Sequence, residues 1–499
     1  MTDNHLQANF NIQPGLNLVT VPGRVLPAPR VYYKDNRSQQ KPVDPTNGGW
    51  NMKAIRFSQG TKLASWSWIY FDAPSARRHF NGPDDLTASL KGLAGKLNEM
   101  GVTTSVPKPG MKFNLSGQNT EKEVENAISD MMARHQPTLI FTILHGSDSE
   151  LYKCVKQVCD VRQGVRNICV LADKLKGAND QYYSNVGLKF NLKLGGTNQS
   201  LRPADLGIIS EGKTMLLGID VTHPSPSSAG NAPSVAGMVA SVDQYLGQWP
   251  AEIKIQASRQ EMVSDLDSML KTCLQRWART NKNYPENIII YRDGVSEGQY
   301  DMVLDKELPL LKKACEETYP ATLTKKSVPR ISITIVGKRH HTRFYPTFDA
   351  DADRGANSKN GTVVDRGVTE ARNWDFFLQA HSAIKGTARP AHYFTVWDEI
   401  FAHQKPLQGS PFKNAADILE GLTHRMCYVF GRATKAVSIC PPAYYADLVC
   451  ERARCYLSQL FDPTPAATPS GSLVSGAAGG SELGDVAIHP NVRDTMFYI

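Results

Sequence analysis

Several features that would fix a class at once are missing from these 499 residues. The nine cysteines (154, 159, 169, 273, 315, 427, 440, 450 and 455) contain no CxxC pair. That count and spacing argue against structural zinc and a disulfide framework, so the thiols are expected to be reduced and mostly buried. Apolar runs are short. The longest, such as Leu139 to Leu144 and Ile288 to Tyr291, fall well below the roughly 20 residues a bilayer-spanning helix needs. Met1 to Phe10 is polar and does not read as a secretory signal, so the expectation is a cytoplasmic protein, with nuclear presence left open. No internal repeat is visible, which argues against a solenoid. What is present is ordinary: 41% hydrophobic, 8% aromatic and 21% charged residues describe a globular α/β-sized chain of about two to four domains.

The charge is unevenly placed. Residues 1–200 carry 24 Lys+Arg and 16 Asp+Glu, a balance of +8, and residues 201–499 carry 32 of each. The excess sits in the front two-fifths. This suits an anionic partner there, although a solvated basic surface is the plainer alternative.

The first 50 residues are rich in Pro, Asn, Gln and Gly and read as an extended linker, which we bound at 1–75. Helical spacing dominates from Pro83 to about Ala133. TLIFTIL (138–144) and NICVLAD (167–173) then read as buried strands around a helical stretch, Glu150 to Gln163. That βαβ rhythm predicts a small doubly wound domain over 76–205. A second, larger α/β unit follows over 206–499. TMLLGIDVTH (214–223) is expected to pair with SVAGMVASVD (234–243), Ser258 to Thr280 to form a long amphipathic helix, and NIIIYRDG, ISITIVGK and HYFTVWDE to be further strands. The stretches from Ala415 to Met426 and from Ala443 to Leu460 read as helices. The Pro/Gly/Ser/Ala-rich stretch 463–485 is expected to be a disordered loop.

Three acids stand where a metal centre would want them. Asp220 and Asp293 each close an apolar strand, and Asp447 lies in the helix AYYADLVCERARCY. Neighbouring strands would fix two carboxylates side by side, and hard cations such as Mg²⁺ take oxygen ligands of this kind. Singly, each Asp is more simply a turn former or a helix cap. The strings GIDVTHP, RQEMVSDL, YRDGVSEGQY, GKRHHTRFYP, GTVVDRGVT, HYFTVWDE and AYYADLVCERARCYL, in this order, closely resemble the PIWI domain of eukaryotic Argonaute proteins. VPGRVLPAP and KFNLKLGGTN resemble that family's second linker and MID domain, and a fungal quelling-type Argonaute is one candidate within it.

The resemblance implies a fold and a chemistry: a Rossmann-like MID domain and a ribonuclease-H-like PIWI domain, with Asp220, Glu261, Asp293 and Asp447 as the catalytic set. Asp220, Asp293 and Asp447 would ligate two Mg²⁺ ions, with Mn²⁺ as a substitute. Glu261, expected at a helix start, is otherwise an unremarkable solvated glutamate. The family implies that it moves in beside the aspartates as the active conformation forms. The N and PAZ domains that the family carries upstream do not resemble anything in this sequence, so anchoring of a guide's 3′ end is not expected of it.

Tyr152 and Lys156 are four apart in a helical stretch and share a face. Lys189 and Lys193 are also four apart, but the alternation Leu188, Phe190, Leu192, Leu194 argues for a strand where the resemblance implies a helix; we follow the resemblance. A tyrosine ring and three ammonium groups suit a nucleotide with a terminal phosphate, although lysines so spaced are common surface decoration. By resemblance these positions hold the guide's 5′-phosphate and first base, Arg452 reaches the same pocket from five residues beyond Asp447, and the family's amide role either passes to Asn167 or is lost. The string Arg166-Asn167-Ile168-Cys169-Val170 departs from the family, which often has Gln or Thr before the Cys-Val pair. The resemblance likewise implies that the basic run Lys338, Arg339, His341 and Arg343, with Ser438 and Tyr444, meets the guide and target backbones, a solvated loop being the alternative for the run. The function so implied is small-RNA-guided silencing: binding of a guide RNA and Mg-dependent cleavage of the complementary target RNA. The alternative is a non-cleaving guide-RNA scaffold that silences through partner proteins.

Overall fold

The computed structural model describes residues 15, 17–73, 79–80, 82–226, 228, 232–324, 328–405, 414–457 and 486–499. The expected loop at 463–485 lies outside the described residues. The front segment is more structured than a linker. Its short strand β1 (Arg24–Val25) pairs with a distant strand, and β2 (Val31–Lys34) and β3 (Gln40–Val43) form an antiparallel hairpin.

A four-stranded parallel sheet follows, built from β4 (Trp66–Asp72), β5 (Met111–Asn114), β6 (Leu139–Leu144) and β7 (Arg166–Leu171), in the order β5-β4-β6-β7. β4 falls before the expected boundary at 75, yet it is an inner strand of this sheet. Helices α1 (Pro83–Met100), α2 (Thr120–His135), α3 (Ser149–Gln157) and α4 (Asp180–Lys193) cover it. Both faces are therefore buried, which is why β6 is apolar at every position except Thr142. The alternating run in α4 is helical because the end of this helix passes through the interior. Leu188, Phe190, Leu192 and even Asn191 and Lys193 are all buried, so no polar face exists to reveal the helical period.

The second unit is a nine-stranded mixed sheet. Its strands are β1, β8 (Thr214–Thr222), β9 (Ser234–Ala240), β10 (Ala251–Gln256), β11 (Asn287–Asp293), β12 (Arg330–Gly337), β13 (Thr362–Val364), β14 (Trp374–Gln379) and β15 (Ala391–Asp398). The order is β1-β13-β14-β15-β12-β11-β8-β9-β10, with β8, β11 and β12 parallel at the centre. One face is covered by α5 (Leu266–Asn281) and α6 (Leu308–Thr318), which bury Met215, Leu217 and Ile219 of β8. The other face carries α7 (Ala415–Met426) and α8 (Pro441–Tyr456), and its core is continuous with that of the first unit.

The helix expected over Ser258–Thr280 is shorter than its apolar period suggested. It begins at Leu266, and residues 257–265 form a loop with Arg259 at φ 59°. Helix α8 sits on β8 and β9 with almost no clearance. A Cβ on Gly218 would lie 1.9 Å from the carbonyl oxygen of Pro442, and one on Gly237 would lie 2.8 Å from Cys450 Sγ. Only glycine permits that backbone-to-backbone seat.

Candidate acidic centre and cationic pocket

Alternation along the two central strands decides which side chains meet. On β8 the odd positions from Met215 to Val221 face α5, so Asp220 faces α8. On β11, Ile288 and Ile290 face α5, while Ile289, Tyr291 and Asp293 face the α8 side. The pair Ile219↔Arg292 is the last in the parallel ladder, which makes Asp220 and Asp293 next neighbours across strands roughly 4.8 Å apart. Asp447 projects from α8 over them. Burial, then the charge of Asp220, pushes Asp293 up to about 8, with Asp447 adding to the rise. Burial followed by Asp220 and Glu451 pushes Asp447 up to about 6. Asp220 itself is raised by burial, opposed mainly by Arg292.

Glu261 comes from the loop before α5 rather than from a helix start. Its Oε2 meets His223 Nε2 at 2.8 Å, and His223 Nδ1 meets Ser234 Oγ at 2.8 Å. Its Oε1 is an ion-pair partner of Arg292 Nη1 at 2.9 Å but makes no aligned hydrogen bond and is buried. Arg292 Nη2 also donates to the Glu261 carbonyl at 2.7 Å. Arg292 is itself fully buried and anchored by Glu307, with Nε to Oε2 at 3.1 Å. A Cβ on Gly294 would touch both Asp220 Oδ1 at 3.3 Å and Glu261 Oε1 at 3.5 Å, which locates the two carboxylates on either side of one glycine. All four residues of the expected catalytic set therefore border one spot at the ends of β8 and β11.

The set is looser than a closed cage. Among the described residues, the three-carboxylate group whose oxygens all lie within 4.8 Å of one another is Asp365, Asp417 and Glu420. That group is a guanidinium seat: Arg24 Nη1 lies 2.9 Å from Asp365 Oδ2, Arg24 Nη2 lies 2.6 Å from Asp417 Oδ1, and the same nitrogen pairs with Glu420. The donor chemistry nonetheless fits hard divalent ions: all-oxygen, mutually repelling, and supplemented by a buried glutamate oxygen without a hydrogen bond.

The second site lies further along α8. A cavity of about 230 Å³ is lined by Tyr152, Lys156, Lys189, Arg432 and Arg452, with Glu451 and Ile499 also at its wall. The Tyr152 ring has Lys156 Nζ at 5.4 Å and the Arg452 guanidinium carbon at 6.0 Å from its centroid. Burial, then Arg432 and Lys156, brings Lys189 down to about 8. Two expected pocket residues are not in the lining. Asn167 is fully buried and spent inside the wall: its Oδ1 accepts from Lys156 Nζ at 2.6 Å and its Nδ2 donates to Thr142 Oγ1 at 2.6 Å. It aims a lysine instead of meeting a ligand, and Ile168 takes the surface position. Lys193 Nζ donates to the carbonyl of Phe497 at 2.5 Å, which ties α4 to the C-terminal segment behind the cavity.

The backbone-contact set is split. Lys338 Nζ donates to Ser438 Oγ, and Arg339 is exposed yet near enough to lower both Asp220 and Asp447. His341 is exposed, whereas Arg343 folds back on its own loop, donating to the His340 carbonyl at 3.0 Å. The Tyr444 ring packs on Phe430 with centroids 4.6 Å apart. Residues that sequence reasoning missed are His223, Arg292, Glu307, Arg432 and Asp160. Arg292 was within reach, since a cation beside Asp293 on an otherwise apolar strand needs a buried partner.

Residues 139–458 match the Piwi domain family model. The chain is 34% identical to "Protein argonaute 1B" of Oryza sativa subsp. japonica, over 98% of this chain and 45% of that relative. Among solved structures, Kluyveromyces polysporus Argonaute with a guide RNA is similar at TM-score 0.81 and 28% identity, covering 97% of this chain and 57% of that one. The MID-PIWI domains of N. crassa QDE-2 are similar at TM-score 0.61 and 31% identity, covering 89% and 100% respectively. The chain thus spans about half the length of the curated relatives it matches.

Proposed function

The chain belongs to the Argonaute family and is similar to its MID and PIWI domains, and from that premise we propose that it is a small-RNA-guided endoribonuclease. The observation that carries the reading is the arrangement of two unlike sites on one helix. Asp447, midway along α8, belongs to the acidic centre, and Arg452 enters a cationic cavity five residues later. Base pairing to a guide would supply sequence selection, so the protein needs only to hold the guide's phosphate end and the scissile phosphate.

The cavity's division of labour follows from its lining. Lys156, Lys189 and Arg432 present charge to a terminal phosphate, and the Tyr152 ring offers a stacking surface to the first base. At the acidic centre Asp220, Asp293 and Asp447 would hold Mg²⁺, or Mn²⁺ in its place. Bound there, two such ions would supply Lewis acidity toward the leaving oxygen and a more acidic water. Glu261 stands where it can orient that water, because His223 and Arg292 fix both its oxygens. In-line attack on the scissile phosphorus would leave a 3′ hydroxyl on one fragment and the phosphate on the downstream one.

The test is a cleavage assay with a 5′-phosphorylated guide and a matched RNA target in Mg²⁺. The chain should cut opposite the guide, and Asp293→Asn should not. Wild-type protein that binds guide but leaves target uncut, at the level of Asp293→Asn, would assign it to the scaffold class instead.

A further inference from the structure

Among the described residues, Arg452 is the deeply buried cation of the pocket region that pairs directly with a carboxylate. Its Nη1 donates to Asp160 Oδ2 at 3.0 Å, across 292 residues of chain, and to the Phe497 carbonyl at 2.8 Å; Nη2 donates to the Tyr152 hydroxyl at 3.1 Å. Asp160 is 1% exposed, sits on the π-helical turn Val158–Gln163 after α3, and also accepts from the Tyr456 hydroxyl at 2.8 Å. The lysines are bound differently. Lys156 and Lys193 are held by an amide oxygen and a peptide carbonyl, and among the described residues neither has a carboxylate within ion-pair distance. Arg452 is thus the cation that Asp160 pairs with directly, whereas Lys156 and Lys193 feel the same carboxylate only through space.

We infer that Asp160 is a built-in stand-in for the phosphate of a bound RNA 5′ end, a counter-ion that holds Arg452 in the empty pocket and limits the preference for phosphorylated ends. The inference rests on the guide-binding reading of this cavity. A buried guanidinium without an anion is costly, so the empty protein needs Asp160. Once a phosphate arrives, the carboxylate remains as a like charge just behind Arg452. Whatever stabilises the empty state more than the filled one weakens binding by the same factor. Asp160 thus exchanges discrimination for a pocket that stays assembled while unloaded.

The experiment compares two single-stranded RNAs of one sequence, with 5′-phosphate or 5′-hydroxyl ends, binding to the full chain. In Asp160→Asn the amide oxygen can still accept from Arg452 or Tyr456, but the charge is gone. The ratio of the two dissociation constants should rise about tenfold, equivalent to ~1.4 kcal/mol. The 5′-hydroxyl affinity should change less than threefold, and the melting temperature without RNA should drop. A merely structural role would weaken both RNAs together and leave the ratio alone, and a role in aiming Arg452 would lower it; either result overturns the inference. If Asp160→Asn does not fold, Arg452→Met is compared with Arg452→Met plus Asp160→Asn. Removing the bare carboxylate should raise the ratio at least threefold, and no rise overturns the inference. A wild-type ratio near one would instead overturn the phosphate-pocket reading itself.

Discussion

The acidic centre should make the metal-free protein less stable than its own inactive variant. Asp293 is pushed from an ordinary carboxyl value to about 8 by burial and by its neighbours, foremost Asp220. The rise from an ordinary carboxyl value near 4 to about 8 makes ionising Asp293 in the folded state cost several kcal/mol. The sign follows from proton counting. Below about pH 4 both states hold the proton and nothing is lost. Between about 4 and 8 the unfolded chain releases it while the folded chain keeps it, so stability falls as pH rises and the full cost is present above about 8. Asp293→Asn removes the ionisation but still buries an amide, which can go on accepting the Gly294 N–H now held at 2.8 Å. We therefore expect the variant to gain ~2–4 kcal/mol over wild type at pH 8.5 without divalent ions, and less than ~1 kcal/mol at pH 4.5. Urea denaturation in a chelator at the two pH values measures this. An equal gain at both, or none at pH 8.5, would refute the charge argument. Adding Mg²⁺ at pH 8.5 should close most of the gap by stabilising wild type alone.

Two other perturbations follow from buried ion pairs. Glu307→Gln removes the principal anchor of Arg292, a cation fully buried between Glu307 and Glu261. It should cost ~3 kcal/mol in guanidinium denaturation and abolish cleavage, and a loss under ~1 kcal/mol would count against it. Arg24→Met leaves Asp365, Asp417 and Glu420 facing one another, with Glu420 already at about 8, chiefly from burial that Arg24 opposes. Its destabilisation should therefore be greatest near pH 8 and shrink toward pH 5 as the carboxyls protonate. A melting-temperature deficit that is flat across that range would contradict the charge origin.

The strands bearing the acids were legible because a buried parallel strand is apolar throughout, so a single Asp at its end stands out. The pairing of β8 with β9 follows from the same kind of pattern. Asp220 and Asp293 stand out on that pattern, whereas Asp447, inside a helix, does not, and its place in the set came from the family resemblance. Glu261 did not announce itself, since its loop owes its shape to His223 and Arg292, both remote in sequence. The α4 lysines misled the period count because the end of that helix runs through the interior. Asn167 was assigned to the ligand, whereas the structure has its amide committed to Lys156 and Thr142. Asp160 was invisible for a further reason: its partners lie some 300 residues away, and nothing local distinguishes it from a solvated aspartate on a helix.

Helix α8 behaves as a gauge block between two workplaces. Its rise of about 1.5 Å per residue sets Asp447 and Arg452 roughly 7.5 Å apart along the axis, and roughly 140° apart around it. The glycine seat under Pro442 and Cys450 leaves no room to slide or roll. Adding or deleting one residue between 447 and 452 would swing the downstream part by about 100°, and Arg452 would face solvent or sheet. The two sites are therefore tied to the length of this helix as firmly as to the side chains it carries.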